Sequence, residues 1–195
     1  MKKILGIFLL LVAICTFTAI MNPNFLNAYN VQNTLRWTAL YGVISIGVAF
    51  VIISGGIDLS IGSVVGLTGS LLVLLLTKHD VSVPLALLAV LVLSLAIGLL
   101  HGLLITKVGL QPFVVTLCGL LFYRGAARFL TNDQSLGYAQ DFDGLRQLAI
   151  GSIPITEEFG IPYPLVVMLT IAVIAMILLN QTLFGRYLLA LGRNE

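Results

Sequence analysis

Charged residues are scarce in this sequence. Lysine and arginine together number 10 and aspartate and glutamate together number 8, so that only 9% of the 195 residues are charged while 59% are hydrophobic. A soluble domain carries about 25% charged residues, and a nucleic-acid-binding protein needs a basic patch as well. The composition therefore excludes a freestanding soluble enzyme and a nucleic-acid partner, and it predicts a protein that lies in the lipid bilayer.

Residues that support enzymatic or metal chemistry are also few. The two cysteines, Cys15 and Cys118, both lie inside apolar stretches, which favours small buried side chains over a disulfide or a metal site. The sequence has no G-x-x-x-x-G-K-[ST] loop, so it cannot bind ATP in that way. An intramembrane aspartyl protease needs two membrane acids, and a rhomboid-like protease needs G-x-S-G, whose first position is occupied here by Ile52. We predict that the protein is not an enzyme and holds neither a cofactor nor a metal.

Long uncharged runs dominate the chain instead. A helix needs about 20 apolar residues, at about 1.5 Å each, to cross about 30 Å of hydrocarbon. Apolar runs in lipid must be helical, because an open backbone cannot be satisfied there, and these runs lack the alternation of barrel strands. They cover residues 4–21, 37–57, 59–77, 81–106, 108–123 and 159–185. The sequence therefore predicts an all-α, polytopic transmembrane helix bundle of six spans, the fifth continuing past Arg124 towards Leu130.

The polar segment 131–158 falls on the outer side if Lys2 and Lys3 lie inside. Lysine and arginine divide evenly between the two faces, so the positive-inside rule does not decide this orientation. Apolar residues recur at helical spacing within the segment and predict a short amphipathic helix. These residues are Phe142, Leu145, Leu148 and Ala149. Docking of a soluble partner and closure of the bundle's end are equally open as roles for this helix.

Residues 54–63 interrupt the apolar pattern between the second and third spans. Gly55 and Gly56 lower helix propensity, and Asp58 lies one residue before the next apolar run. One interpretation is a tight turn whose carboxylate caps the following helix. The other is a broken helix that borders a polar cavity, as in transporters. Position alone leaves the two open.

Small residues recur on two of the predicted spans. Gly62 and Gly66, like Gly98 and Gly102, have the i, i+4 spacing that is typical of closely packed membrane helices. We therefore expect tight helix packing at both pairs. His101 lies beside the second pair, and a hydrogen-bonded packing histidine is favoured there over a proton relay.

Three stretches, in matching order and spacing, resemble the ribose-type sugar permeases of bacterial ABC importers, within the branched-chain amino acid/sugar permease superfamily. The most specific of them is residues 55–63, GGIDLSIGS. The second is residues 111–117, QPFVVTL, followed by Arg124-Gly125. The third is Gly185-Arg186 followed by Ala190, Gly192 and Asn194. The resemblance covers about residues 37–195.

This resemblance implies a multi-pass permease subunit of the bacterial inner (plasma) membrane with both termini in the cytoplasm. About ten membrane helices are expected in the family, of which about six would be present here. The implied partners are a cytoplasmic ABC ATPase, which binds the ATP, an extracytoplasmic sugar-binding protein and a second permease subunit, identical or not. Family members continue beyond this point, so we expect a fragment, a split gene or a partial gene model, which would not support sugar uptake by itself.

Residues are predicted for two functions, the first from the chemistry of sugars and the second from the resemblance. A path for neutral, hydroxyl-rich sugars is expected to use small and hydrogen-bonding groups, at Ser54, Gly55, Gly56, Asp58, Ser60, Gln111 and Thr116. Residues 183–195 correspond to the start of the cytoplasmic coupling loop that contacts the ATPase. Its matching positions are Gly185, Arg186, Ala190, Gly192, Arg193 and Asn194. An ion-coupled secondary transporter is the alternative, although Asp58 is then the one acid at hand.

Overall fold

The computed structural model describes residues 2–138, 142–157 and 159–192, and eight α-helices make up most of these residues. The helices are α1 (Lys2–Met21), α2 (Ala28–Ile53), α3 (Ile61–Thr77), α4 (Val83–Thr106), α5 (Pro112–Thr131), α6 (Asp143–Ile150), α7 (Tyr163–Gln181) and α8 (Leu183–Leu191). A short 3₁₀ helix (Pro23–Leu26) follows α1, and an antiparallel hairpin pairs β1 (Ser152–Pro154) with β2 (Gly160–Pro162). The predicted all-α class is confirmed.

The apolar runs are helical over most of their lengths. Helices α2, α4, α5 and α7 are long and apolar enough to cross a membrane, whereas α3 and the apolar part of α1 (Leu5–Met21) are shorter. The 17 residues of α3 rise about 26 Å, slightly less than the hydrocarbon thickness of about 30 Å. Six apolar helices within the described ranges therefore agree with the six predicted runs, and four of them also meet the length of a span.

The sixth run is not the single helix that its composition predicts. The run contains β2, α7 and the first three residues of α8, because polar and proline residues interrupt it at both ends. Pro162 ends β2, and Pro164 lies in the first turn of α7, where its missing N–H costs nothing. Thr182 is extended, and its hydroxyl oxygen accepts a hydrogen bond of 3.2 Å from Gly185 N, which starts α8 as a separate helix.

The fifth span continues past its first arginine, as predicted. Helix α5 runs through Arg124 to Thr131 and ends where Asn132 takes the left-handed conformation, at φ 51° and ψ 40°. Asparagine accepts this conformation more readily than most residues. Arg128 in the last turn of α5 forms an ion pair with Asp133, and both side chains are exposed.

Two compact units divide the chain. The first comprises Met1–Val43 with Gly144–Ala175, and the second comprises Ile44–Asp143 with Met176–Glu195. In the second unit α3, α4 and α5 share a core in which Leu67, Ile97 and Tyr123 are buried. Partly buried residues surround these three, namely Val64, Leu93, Ala126 and Ala127.

Two hydrogen bonds connect elements of the first unit near the hairpin. Arg36 Nη2 donates a hydrogen bond of 2.8 Å to Ile150 O, which connects α2 to the end of α6. Its Nε is buried and has no hydrogen-bond partner among the described residues. Tyr163 N donates to Gly151 O at 3.0 Å and connects the start of α7 to the residue before β1. These bonds order the polar segment beside α2.

The glycine pairs do not pack tightly against other described residues. A Cβ atom placed at Gly62, Gly66, Gly98 or Gly102 would meet nothing within 4 Å in the described part of the chain. The prediction of close helix packing at these pairs is wrong there. The large residues of the shared core, rather than the glycine faces, bring α3, α4 and α5 together.

The polar segment 131–158 contains α6. Phe142 lies just before this helix and packs edge-on against Tyr138, with ring centroids 6.2 Å apart, and burial raises the pKa of Tyr138. On α6, Leu145 is half-buried and Leu148 is exposed. Residues 139–141 and 158 lie outside the described residues, and the side of the membrane on which the segment lies stays a prediction.

Candidate functional site

The glycine-rich loop begins with a tight turn that ends helix α2. Gly56 N donates to Val51 O at 2.9 Å, and Gly55 N donates to Ile52 O at 3.0 Å. Gly55 has φ +78°, a conformation that favours glycine because a Cβ would clash there. This pair of bonds is the Schellman arrangement that closes many helices. The two glycines therefore end α2 and turn the chain into the loop.

Asp58 anchors the second half of the loop. Its Oδ1 accepts two hydrogen bonds of 2.7 Å, one from Ser60 N and one from Ser60 Oγ. Ser60, the residue before α3, is 1% exposed, and its carbonyl accepts a bond of 2.6 Å from Ser63 Oγ. The carboxylate thus fixes the residue that starts α3, close to the positive end of the helix dipole.

A cavity of about 490 Å³ lies beside this loop. Its walls come from the end of α2, the loop, α4, the start of α5 and the end of α8. The lining residues are Val51, Ser54, Gly55, Gly56, Ile57, Asp58, Gly98, His101, Gly102, Ile105, Thr106, Pro112, Thr116 and Leu191. The volume lies within the range of about 300–1,000 Å³ that is typical of small-molecule sites.

Five of the seven residues assigned to a path from sequence line this cavity. These are Ser54, Gly55, Gly56, Asp58 and Thr116. Ser60 lies behind the wall, where it is bonded to Asp58. Gln111 is the residue before α5 and makes no side-chain capping bond. The structure therefore brings most of the assigned residues together, although their role as a path stays a prediction.

Thr116 joins the start of α5 to the loop. It is 2% exposed, its Oγ1 donates to Pro112 O at 2.8 Å, and the same oxygen lies 3.4 Å from Ile57 O. The longer distance is at the limit of a hydrogen bond. Thr116 therefore serves mainly as a small polar wall residue that packs under the loop.

Sequence reasoning missed the wall that α4 contributes. Gly98, His101, Gly102 and Ile105 have successive spacings of three, one and three residues, so they share one helix face, and that face lines the cavity. His101 Nε2 lies 3.0 Å from Tyr123 Oη in a buried hydrogen bond. The spacing was visible in the sequence and was interpreted there as a helix-packing face.

The residues assigned to ATPase coupling begin in α8. Gly185 is buried, and a Cβ there would overlap the carbonyl groups of Leu178 and Leu179. Arg186 and Ala190 are exposed. Arg193 and Asn194 lie outside the described residues.

Helix α8 meets the end of α2 directly. A Cβ at Gly192 would overlap Ile53 O, and the rings of Phe50 and Phe184 lie 6.4 Å apart. Leu191, the last residue of α8, also lines the cavity. Of the described residues assigned to coupling, Gly192 thus contacts the last residue of α2, and the coupling role itself stays a prediction.

Four helices among the described residues are long and apolar enough to cross a membrane, which defines a polytopic membrane protein. Residues 30–195 match the family described as branched-chain amino acid transport system / permease component. The chain belongs to this permease family, and it is a multi-pass protein of the bacterial inner (plasma) membrane.

The relatives are sugar permeases by name. The chain is 31% identical over 190 residues to the ribose import permease protein RbsC of Haemophilus influenzae, covering 96% of this chain and 57% of that protein. It is 34% identical to the ribose import permease protein RbsC of Bacillus subtilis, over 98% of this chain and 56% of that protein. The xylose transport system permease protein XylH of Haemophilus influenzae is 27% identical over 97% of this chain. The chain thus spans somewhat more than half the length of its ribose-permease relatives, and no solved structure matches it.

Proposed function

We propose that the chain forms membrane-spanning helices of the permease subunit of an ABC importer for a monosaccharide, ribose or a related sugar. A separate ATPase subunit binds the ATP and drives transport, a soluble binding protein delivers the sugar, and a second permease subunit completes the membrane part. The subunit itself performs no chemical conversion and needs no cofactor.

The cavity beside the glycine-rich loop is the observation that supports this proposal most. Hydroxyl groups, glycines and one carboxylate form part of its otherwise largely apolar lining, and sugars are bound by such hydrogen-bonding groups. It occurs in a chain whose relatives carry the names of ribose and xylose permeases. A size of about 490 Å³ accommodates a single sugar ring rather than a long oligosaccharide.

Energy input from a partner fits the position of α8. The family resemblance assigns coupling to this segment, and its last residue, Leu191, lies in the cavity wall. A rigid displacement of α8 would therefore change the wall without any relay of side chains. Transport of this kind is a shift between conformational populations and requires no chemistry within the membrane subunit.

An ion-coupled secondary carrier is the alternative function. Such a carrier needs acidic groups in its path, and among the described residues Asp58 is the one carboxylate in the cavity wall. One oxygen of that carboxylate is already bonded to Ser60. These features favour the ATP-driven function.

Uptake of labelled sugar distinguishes the ATP-driven importer from the ion-coupled carrier. The gene, at its natural length, is expressed in a bacterial strain lacking its own ribose and xylose permeases, together with the ATPase and the binding protein of a ribose importer. We expect uptake of ribose, xylose or a similar monosaccharide that stops when the phosphate-loop lysine of the ATPase is replaced. Uptake that survives this replacement and collapses with a protonophore would establish the ion-coupled alternative instead.

A further inference from the structure

Most hydroxyl groups of the cavity already donate to backbone carbonyls. Ser54 Oγ donates to Val51 O at 2.8 Å, and Thr106 Oγ1 donates to Gly102 O at 2.7 Å. Thr116 Oγ1 donates in the same way within its own helix. A hydroxyl has one proton to give, so these side chains can only accept from a substrate. A sugar needs further groups in the wall that are not already engaged.

His101 supplies such a group. Its side chain is 8% exposed, and its Nε2 is engaged by Tyr123 Oη at 3.0 Å. Among the described residues, Nδ1 has no hydrogen-bond partner. Nδ1 is therefore available to a hydrogen-bonding ligand.

The imidazole ring is fixed in place by its neighbours on α5. A Cβ at Gly119 would lie 2.8 Å from His101 Nε2 and 3.0 Å from the Tyr123 ring. Gly119 therefore leaves the space in which the His101–Tyr123 pair forms. The two ring centroids are 5.6 Å apart. The orientation of the imidazole is thus set by α5 while its backbone belongs to α4.

The ring separates two spaces. His101 lines the cavity and also an apolar crevice of about 640 Å³, whereas Tyr123 lines the crevice alone. Because Nε2 is bonded to Tyr123, Nδ1 is the ring nitrogen left for a ligand in the cavity. We infer that His101 is a specificity-determining residue of the substrate path, which hydrogen-bonds a hydroxyl of the transported sugar through Nδ1. This inference rests on the proposed function.

Either neutral form of the ring supports this role. If Tyr123 donates to Nε2, then Nδ1 carries the proton and donates. If Nε2 donates to Tyr123, then Nδ1 accepts. A sugar hydroxyl both donates and accepts, so it can bond either form. The second oxygen of Asp58, which has no partner in the part of the chain that the structure describes, is a further acceptor in the same cavity.

Two amide substitutions separate the two ring nitrogens. An asparagine amide ends at the distance of Nδ1 from the backbone, and a glutamine amide ends at the distance of Nε2. His101→Asn therefore preserves a group for the cavity, His101→Gln preserves one for Tyr123, and His101→Leu preserves neither. His79, the other histidine of the chain, is exposed in the turn after α3, so His79→Leu is the matched control.

The variants are compared by uptake of labelled ribose in the strain described above. Because the binding protein captures the sugar, we expect His101→Leu to lower the maximal uptake rate about fivefold to tenfold, the effect of one lost hydrogen bond, with little change in the apparent KM. His101→Asn should recover more of the rate than His101→Gln, and His79→Leu should transport like the wild type. The amount of each variant in the membrane is measured in parallel.

A sugar with a hydroxyl removed provides a readout that packing alone would not change. Deoxyribose analogues that lack one hydroxyl each are compared with ribose in the wild type and in His101→Leu. In the wild type, the analogue that lacks the hydroxyl bonded by His101 should be transported more slowly than ribose, and we expect this difference to disappear in His101→Leu. The preference of the binding protein does not affect the comparison, because both strains carry the same binding protein. Equal rates for His101→Leu and the wild type, or better recovery by glutamine than by asparagine, would overturn the inference. If the wild type imports no sugar, the proposed function fails, and this inference fails with it.

Discussion

Removing the Asp58 carboxylate is expected to destabilise the second unit by about 2–3 kcal/mol. Asp58 Oδ1 accepts two hydrogen bonds of 2.7 Å from Ser60, and bonds to a charged group contribute about 1.5–3 kcal/mol each. Asp58 is only half-buried, so water replaces part of the loss in Asp58→Ala. The Ser60 N–H, however, stays buried without its acceptor. We therefore expect less than the full sum of about 3–6 kcal/mol.

Asp58→Asn separates the bonds from the charge. The amide oxygen can still accept from Ser60, so the expected loss of stability is about 1 kcal/mol or less. Thermal unfolding in detergent measures both variants, and a loss of 2–3 kcal/mol corresponds to a Tm lower by about 5–10 °C. Asp80→Asn is the control, because Asp80 is exposed and its φ of 50° suits asparagine.

Two outcomes would contradict this reasoning. Asp58→Ala with a Tm equal to that of the wild type would show that the two bonds to Ser60 contribute nothing. Asp58→Asn with a Tm as low as that of Asp58→Ala would show that the charge, rather than the accepted hydrogen bonds, stabilises the loop. Uptake left intact in Asp58→Asn would make the residue a structural cap that is dispensable for transport.

Gly192→Ala is expected to lower uptake severalfold at a normal membrane level, because the new methyl group would overlap Ile53 O and push the end of α8 away from α2. Gly185→Ala should lower thermal stability by about 1–3 kcal/mol, since its methyl group would overlap backbone carbonyls that cannot rotate away. Gly66→Ala is the control for both, because nothing lies within 4 Å of its Cβ in the described residues; it should be neutral or slightly stabilising. If all three alanine variants behave alike, the contacts of α8 have no such influence.

The transmembrane helices could be predicted because few other backbone conformations are stable in the hydrocarbon of a membrane. Scarce charge and long apolar runs require helices, and the polar break at residues 54–63 marks the loop without ambiguity. The sequence predicted that Asp58 is important in the loop, but it did not predict the contacts that Asp58 makes. Asp58 bonds Ser60, the residue before α3, instead of capping the first turn of the helix, and it also lines a cavity.

The wall formed by α4 was not predictable in the same way. That helix is apolar around its whole circumference, so no periodicity reveals which side meets a cavity and which meets lipid or protein. Gly98 and Gly102 carry the same i, i+4 spacing as packed membrane helices, but here they border open space. The face of α4 that carries His101 is identified only by its contact with α5, where Gly119 and Tyr123 lie next to His101.

The contact between Gly192 and Ile53 has a mechanical consequence. Ile53 is the last residue of α2, directly before the loop, and its carbonyl oxygen lies against a residue that has no side chain. No side chain separates the two backbones at this contact. A displacement of the end of α8 is therefore expected to move the last residue of α2, and with it the start of the glycine-rich loop, through direct backbone contact.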